Sequence, residues 1–241
     1  MSDPRRVLLI PAYNEAPRLA GVLDRARAAA PDFEIVVVDD GSSDGTARVA
    51  CGAGARVLRH PGNLGYGAAL QTGYKLALRE GAGLLVQMDA DGQHDPADVC
   101  ALAAPVLRGE LDVVIGSRFL GRGDYQMGAL RDAGRRLFRQ LARRLGLDVT
   151  DPTSGFQALS PRAVSLYARD FFPSDFPDVD VLVAAHRSGL RIGELPVKMG
   201  PGLRASSLHG GIAPLYYVYK MLLSLWATAQ RPAGHGPGEE R

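Results

Sequence analysis

Up to residue 117 the chain alternates short, unbroken apolar runs with segments of helical spacing, and this alternation restricts the possible folds more than any other feature. The runs at 6–10, 34–38, 56–58, 83–88 and 112–116 predict strands, and the segments 16–30, 44–50, 65–79 and 96–107 predict helices. Runs without polar interruption suit strands buried on both faces, so the expected fold is α/β: an open, mostly parallel sheet flanked by helices. Ligands of such sheets bind beyond the carboxyl ends of the strands. Those ends carry the polar clusters PAYNE (11–15), DDGSSDGT (39–46), DADGQHD (89–95) and GSRF (116–119), and four clusters at four strand ends describe one crevice.

The DADGQHD cluster has the clearest chemistry. Carboxylates at i and i+2 on a turn, Asp89 and Asp91, can converge on one divalent cation, and Gln93 can add a carbonyl oxygen. Mg²⁺ needs only one or two protein carboxylates, because waters and substrate phosphates fill its remaining positions. Capping of the following helix accounts for Asp95, which precedes Pro96, but leaves Asp89 and Asp91 at the end of an apolar strand unexplained. In DDGSSDGT a tight turn accounts for most residues and leaves Asp40, whose carboxylate can accept hydrogen bonds from a base or ribose. Glu15 can reach a sugar hydroxyl or cap a helix. His60 and His94 are read first as structural hydrogen-bonders, with His94 beside the acidic turn. Glycines 62, 65, 67 and 73 allow close approach of a phosphate or of neighbouring backbone, but form neither the dinucleotide fingerprint nor a P-loop. A nicotinamide-dependent oxidoreductase is therefore disfavoured.

Beyond residue 117 the pattern changes. Residues 130–145 predict a helix with Arg131, Arg135 and Arg139 in an i, i+4, i+8 stripe, joined by Arg136, Arg143 and Arg144. A loop with a short strand (151–159), helices at 161–168 and 178–188, a strand at 190–195 and an apolar helix at 212–229 follow. Lys220, Ser224 and Thr228 form a narrow polar stripe on that last helix, which also carries Tyr216, Tyr217, Tyr219 and Trp226. A lysine at the centre of 18 residues disfavours a spanning helix and favours an amphipathic one at a membrane interface or on a partner. Packing in the chain's own core is the alternative. The expected organisation is a catalytic domain over 1–210, this helix within 211–230, and a disordered tail at 231–241. With 241 residues, 46% hydrophobic, the chain can build a full core, and its two cysteines suit a reducing cytoplasm. The opening MSDPRR is not expected to be a signal peptide, because the apolar run after it is too short.

Taken together in order and spacing, PAYNE, VVDDGSSDGT, NLGYGAALQTG, MDADGQHDP, GSRF and DPTSGFQAL resemble the family 2 glycosyltransferases of the GT-A fold. The nearest resemblance is to the polyprenyl-phosphate sugar transferases, the dolichyl-phosphate mannose synthase-like group, over roughly residues 5–198. The resemblance implies that Pro11, Tyr13, Glu15 and Asp40 line the nucleotide pocket. It implies that Asp89, Asp91 and Gln93 hold Mg²⁺ or Mn²⁺ against the donor diphosphate, and that Arg118 and Arg131 handle phosphate charge. Asp180 stands where the group has an acidic residue, and Glu194–Pro196 matches its E-x-P element. The chain departs from the group after that element: Gly200 and Pro201 replace an Asp-Arg pair, leaving Arg204 and Ser206 to serve an acceptor loop.

The implied reaction is inverting transfer of a sugar from a nucleotide-sugar, GDP-mannose or a UDP-hexose, to a polyprenyl phosphate. Asp91, Arg118 and Arg131 are the expected catalytic residues. A lipid phosphate is already anionic and needs no general base, whereas a hydroxyl acceptor would need one, with Asp151 or Asp180 as the candidates. Transfer to a glycan or small-molecule hydroxyl is the rival reading, and a non-catalytic sugar-nucleotide-binding subunit is a further one. The expected partners are the donor, the lipid acceptor and a membrane surface or small integral membrane protein, with no nucleic acid. The expected location is cytoplasmic, peripheral at the inner face of the membrane.

Overall fold

A computed structural model describes residues 4–121, 129–175, 177–200 and 219–224, with the side chains at 129–133 and 135 left out of the description. Seven strands form one sheet: β1 (Arg6–Ala12), β2 (Glu34–Asp39), β3 (Arg56–Arg59), β4 (Leu84–Gln87), β5 (Val113–Ser117), β6 (Gln157–Leu159) and β7 (Ile192–Pro196). Their order is β3-β2-β1-β4-β6-β5-β7. All neighbours run parallel except β6, which lies antiparallel to both β4 and β5. The expected mostly parallel α/β sheet is therefore present, with one short reversed strand wedged into it.

The apolar runs are unbroken because both faces of the sheet are covered. Val7 and Leu9 face a core built with α3 (Tyr66–Arg79), α5 (Ala129–Arg144), α6 (Pro161–Tyr167) and α7 (Val179–Arg187). Leu8 and Ile10 face the opposite core, built with α1 (Ala16–Ala29), α2 (Thr46–Gly52) and α4 (Val99–Leu107). Leu8, Leu9 and Ile10 have no exposed surface, and burial of each is worth about 1.5–3 kcal/mol.

Element boundaries shift where polar chemistry overrides periodicity. β1 continues through Pro11 to Ala12, although proline was expected to close it. Leu9 accepts from Met88 on the β4 side and Ala12 accepts from Asp40 on the β2 side. Pro11, alternating with Ile10, thus faces β4 beyond its last ladder pair, Leu9–Gln87, where no N–H is needed. α2 begins at Thr46, not 44, because Asp44 lies outside it and accepts from the Thr46 amide (3.0 Å). The helix expected at 96–107 opens as a 3-10 turn, Pro96–Asp98, capped as expected by Asp95, whose carboxylate accepts from Ala97 N (3.1 Å).

Of the expected terminal helix, only 219–224 lies within the described residues, and it is helical. Met221 is buried in the core beside α7, Lys220 pairs with Asp175, and the Ser224 hydroxyl donates to Asp180 on α7. The tail at 231–241 and the loop bearing Arg204 and Ser206 lie outside the described residues. Among the described residues no helix is long and apolar enough to cross a membrane.

Candidate active site

The clusters at the ends of β1 and β2 are stitched together by side chain–backbone bonds. Asn14, which holds a left-handed φ of 54°, accepts from Ser43 N (3.0 Å), and its own amide donates to the Ser42 hydroxyl (2.9 Å). Glu15 N donates to Thr46 Oγ1 (2.9 Å), while the Glu15 carboxylate pairs with Arg18 (2.9 Å). Pro11 is buried in the strand and Tyr13 is exposed at its end. Pro11, Tyr13, Glu15 and Asp40 thus all lie at the carboxyl edge of β1 and β2.

Asp40 does something the sequence did not indicate. One oxygen accepts from His60 Nδ1 (2.7 Å) and Leu64 N (2.9 Å), and the other from Gly65 N (2.9 Å). The group is 3% exposed and fastens the 60–65 loop under the start of α3, at the same strand edge as Pro11, Tyr13 and Glu15. Its neighbour Asp39, fully buried, accepts from Ser42 N (3.0 Å) and lies 3.2 Å from the Arg59 guanidinium. His60, bonded also to Thr72 (2.9 Å), is structural, as expected.

At the end of β4, Asp89 and Asp91 share a turn. Asp91 accepts from Gln93 N (2.9 Å) and from the Gln93 side-chain amide (2.6 Å), so Gln93 presents its NH₂ to Asp91. Asp89 accepts from the Tyr66 hydroxyl (2.8 Å), and its backbone N–H donates to His94 Nδ1 (3.0 Å). His94 is buried and stacked on Phe156, with ring centroids 4.8 Å apart. Burial first, and then the charge of Asp89, push the Asp91 carboxyl above its ordinary value, and Glu15 adds in the same sense. Mutually repelling, half-buried oxygen ligands are the donor set that a hard divalent cation relieves. Asp89 and Asp91 therefore fit Mg²⁺ or Mn²⁺. Among the described residues no group of three or more His, Cys, Asp or Glu side chains could hold a metal ion, and a cation that takes only one or two protein carboxylates does not need one.

At the end of β5, Arg118 is clamped. Its Nε and Nη2 donate to the two oxygens of Asp151 (2.6 Å each), and Nη2 also reaches Thr153 Oγ1 (2.9 Å). Asp151 is itself set by Glu194 on β7, whose carboxylate accepts from Thr150 N (2.6 Å) and Asp151 N (2.8 Å). Neither proposed general base is open to such a role. Asp151 is fully buried under Arg118, and Asp180 is buried and accepts from Ser224, Val181 N and Asp178 N. Arg131 lies on α5, but its side chain is outside the described residues. Of the arginine stripe, Arg136, Arg143 and Arg144 are exposed and Arg139 is half-buried.

Two residues that sequence reasoning passed over stand against the acidic turn. Tyr66 lies 23 positions from Asp89 in the chain and meets it only because α3 returns beside β1. Gly155 sits where a Cβ would lie 2.8 Å from the Tyr66 hydroxyl and 3.4 Å from both Asp89 oxygens. Only their presence in NLGYGAALQTG and DPTSGFQAL hinted at them, and neither stretch says which residue of its own meets the turn.

Residues 7–166 match the family described as Glycosyl transferase family 2, and the chain belongs to that family. Among similar curated proteins is the undecaprenyl-phosphate mannosyltransferase of Micrococcus luteus, 35% identical over 86% of this chain and 89% of that protein. Another is the polyprenol monophosphomannose synthase of Mycolicibacterium smegmatis, 32% identical over 80% of this chain and 76% of that one. Among solved structures, glucosyl-3-phosphoglycerate synthase of Mycobacterium tuberculosis, crystallised with Mn²⁺ and UDP-glucose, superposes with a TM-score of 0.71. It is 23% identical, and the match covers 95% of this chain and 80% of that chain, which establishes the common fold. The chain is a glycosyltransferase of GT-A architecture.

Proposed function

We propose that this glycosyltransferase moves a sugar from a nucleotide-sugar to a polyprenyl phosphate, with inversion, at the cytoplasmic face of a membrane. An acceptor phosphate oxygen bonds to the anomeric carbon, the bond from that carbon to the donor diphosphate breaks, and its electron pair leaves with the nucleoside diphosphate. A divalent cation, Mg²⁺ or Mn²⁺, would supply Lewis-acid neutralisation of that leaving group. Asp89 and Asp91, with Gln93, would hold it, Pro11, Tyr13, Glu15 and Asp40 would line the nucleotide, and Arg118 and Arg131 would orient phosphate charge.

One observation carries the choice of acceptor. Among the described residues, the two carboxylates considered as a general base are committed elsewhere: Asp151 to Arg118 and Asp180 to Ser224. A hydroxyl acceptor requires such a base, whereas a phosphate acceptor does not. The two named relatives, both polyprenyl-phosphate enzymes by name, support the same choice.

The membrane reading draws on the polarity of 219–224. Lys220 and Ser224 turn inward to Asp175 and Asp180, while Tyr219, Leu222 and Leu223 are exposed. A helix with its polar stripe inward and its apolar face outward suits a hydrocarbon surround. A small integral membrane protein would satisfy the same face.

The test is a panel of sugar nucleotides scored for Mn²⁺-dependent thermal stabilisation, followed by transfer to a short polyprenyl phosphate. A nucleotide held at 100 times its Kd should add about 2.7 kcal/mol of stability. Transfer to a soluble sugar hydroxyl, with none to the lipid phosphate, would refute the proposal.

A further inference from the structure

We infer that Tyr66 is a positioning residue for Asp89: its hydroxyl, admitted by the missing side chain of Gly155, fixes the direction in which that carboxylate meets a divalent cation. The inference rests on the reading of Asp89 as a cation-facing group.

An aspartate at the end of a strand has two free torsions, and a cation gains affinity when neither must be frozen on binding. Here the Tyr66 bond restrains the carboxylate itself, while His94 fixes the backbone that carries it and has its Nε2 3.8 Å from Asp89 Oδ2. His94 accepts the Asp89 backbone N–H (3.0 Å) and is itself held flat against Phe156, with an interplanar angle of 22°. Tyr66 donates to Asp89 Oδ1 (2.8 Å), leaving Oδ2 without a hydroxyl on it. Gly155 leaves room for the phenol, and its carbonyl accepts from the Gln87 side-chain amide (3.0 Å), which fixes its backbone. A Cβ there would fall 2.8 Å from the Tyr66 oxygen, so an alanine at 155 would press on the phenol that reaches Asp89.

The phenol is aimed by an anchored helix start. Gly65 N is bonded to Asp40 (2.9 Å) and Ala68 N to Ser174 O (2.9 Å), on either side of Tyr66. A side chain at residue 67 would lie 2.0 Å from Pro173 O, so the first turn of α3 sits directly on the 173–174 backbone. Tyrosine suits this place because a neutral hydroxyl orients a carboxylate without supplying a competing positive charge. Among the described residues Asp40 therefore acts on the acidic turn at one remove, by way of the loop that carries Tyr66.

The experiment titrates Mn²⁺ alone into the full chain, following the free-ion EPR signal, alongside thermal unfolding without metal. Tyr66→Phe keeps the ring and removes the bond. Its apparent Kd for Mn²⁺ should rise about tenfold, as is usual when a partner behind a metal ligand is lost, with the unfolding midpoint unchanged. Gly155→Ala should give a similar loss. The double variant Tyr66→Phe/Gly155→Ala should be no worse than Tyr66→Phe, because the atom the new methyl would strike is gone. Additive losses, or Mn²⁺ binding by Tyr66→Phe at the wild-type Kd, would overturn the inference. Asp89→Ala separates the two levels. If it loses Mn²⁺ while Tyr66→Phe does not, positioning fails alone; if it binds like wild type, the cation reading of Asp89 fails as well.

Discussion

Replacing Glu194 by glutamine changes one oxygen into an NH₂, and the change should reach Arg118 only if the Glu194–Asp151–Arg118 chain of hydrogen bonds is continuous. The carboxylate accepts from two adjacent amides, Thr150 N at 2.6 Å and Asp151 N at 2.8 Å. A bond to a charged acceptor contributes about 1.5–3 kcal/mol, and a neutral one about 1 kcal/mol. Glutamine retains one acceptor in neutral form and turns a donor toward the other amide, a loss of about 2–4 kcal/mol before solvent is considered. Glu194 is half-buried, which brings the expected loss to about 1–3 kcal/mol. With a urea dependence of about 2 kcal/mol per molar, the unfolding midpoint should fall by about 0.5–1.5 M. The amides at 150 and 151 then no longer fix the carboxylate that grips Arg118, so kcat should fall more than the KM for donor. A wild-type midpoint in urea would show that the carboxylate does not hold this loop. A lowered midpoint with unchanged kcat would refute the connection from the loop to Arg118.

Gly67→Ala should lower the melting temperature by about 5–10 °C, since its Cβ would lie 2.0 Å from the Pro173 carbonyl oxygen and backbone must move to admit it. Asp112 is held below its ordinary value of 3.8: burial alone pushes it up, but hydrogen bonds from the Arg191 amide and guanidinium and from Ser160 outweigh that. A depressed carboxyl contributes stability that is complete above its unfolded value and disappears as pH falls through its folded one. The stability gap between wild type and Asp112→Asn should therefore be constant above about pH 5 and shrink as the pH drops below 3.8, followed by urea unfolding at each pH. Paired Leu222→Ser and Leu223→Ser substitutions should weaken co-sedimentation with anionic vesicles without lowering the melting temperature, because these side chains are 41% and 50% exposed.

The sheet was legible because a strand covered on both faces leaves a signal that needs no knowledge of its neighbours: an unbroken apolar run such as Ile35–Val38. The antiparallel insertion of β6 was not legible. Three residues, Gln157–Leu159, carry no period, and their direction is fixed by pairing with Leu85–Gln87 and Val113–Ile115 on either side. The strand-end clusters were legible for the same reason as the strands, since a polar, glycine-bearing stretch after an apolar run marks an exit from the core. What a cluster residue does was less so. Asp40 and Asp89 are both acidic residues at strand ends, yet one accepts from His60 and the backbone of 64–65 and the other from a phenol. That difference is set by what α3 brings back across the sheet edge, and chain-local patterns contain no such term.

The same argument explains why the polar stripe of the last helix was ambiguous. A stripe of Lys220 and Ser224 on an apolar helix has two physical solutions: it faces water while the apolar face packs on the core, or it faces polar groups of the body while the apolar face turns outward. Periodicity is identical in both. The choice is made by Asp175 and Asp180, buried or half-buried carboxylates that lie 45 and 44 positions earlier and would lose these partners if the helix turned over. Asp180 in particular has its carboxyl pushed up by burial and draws part of its compensation from the Ser224 hydroxyl. Rotating the helix to bury Leu222 and Leu223 would turn the buried Met221 outward and leave that carboxylate with fewer donors in a dry site, a cost of about 1–3 kcal/mol for the lost bond, and together these offset the gain from the leucines. On the proposed membrane surface hydrocarbon would replace water on the outer side, the leucines would lose nothing by pointing outward, and the arrangement would be favoured on both counts.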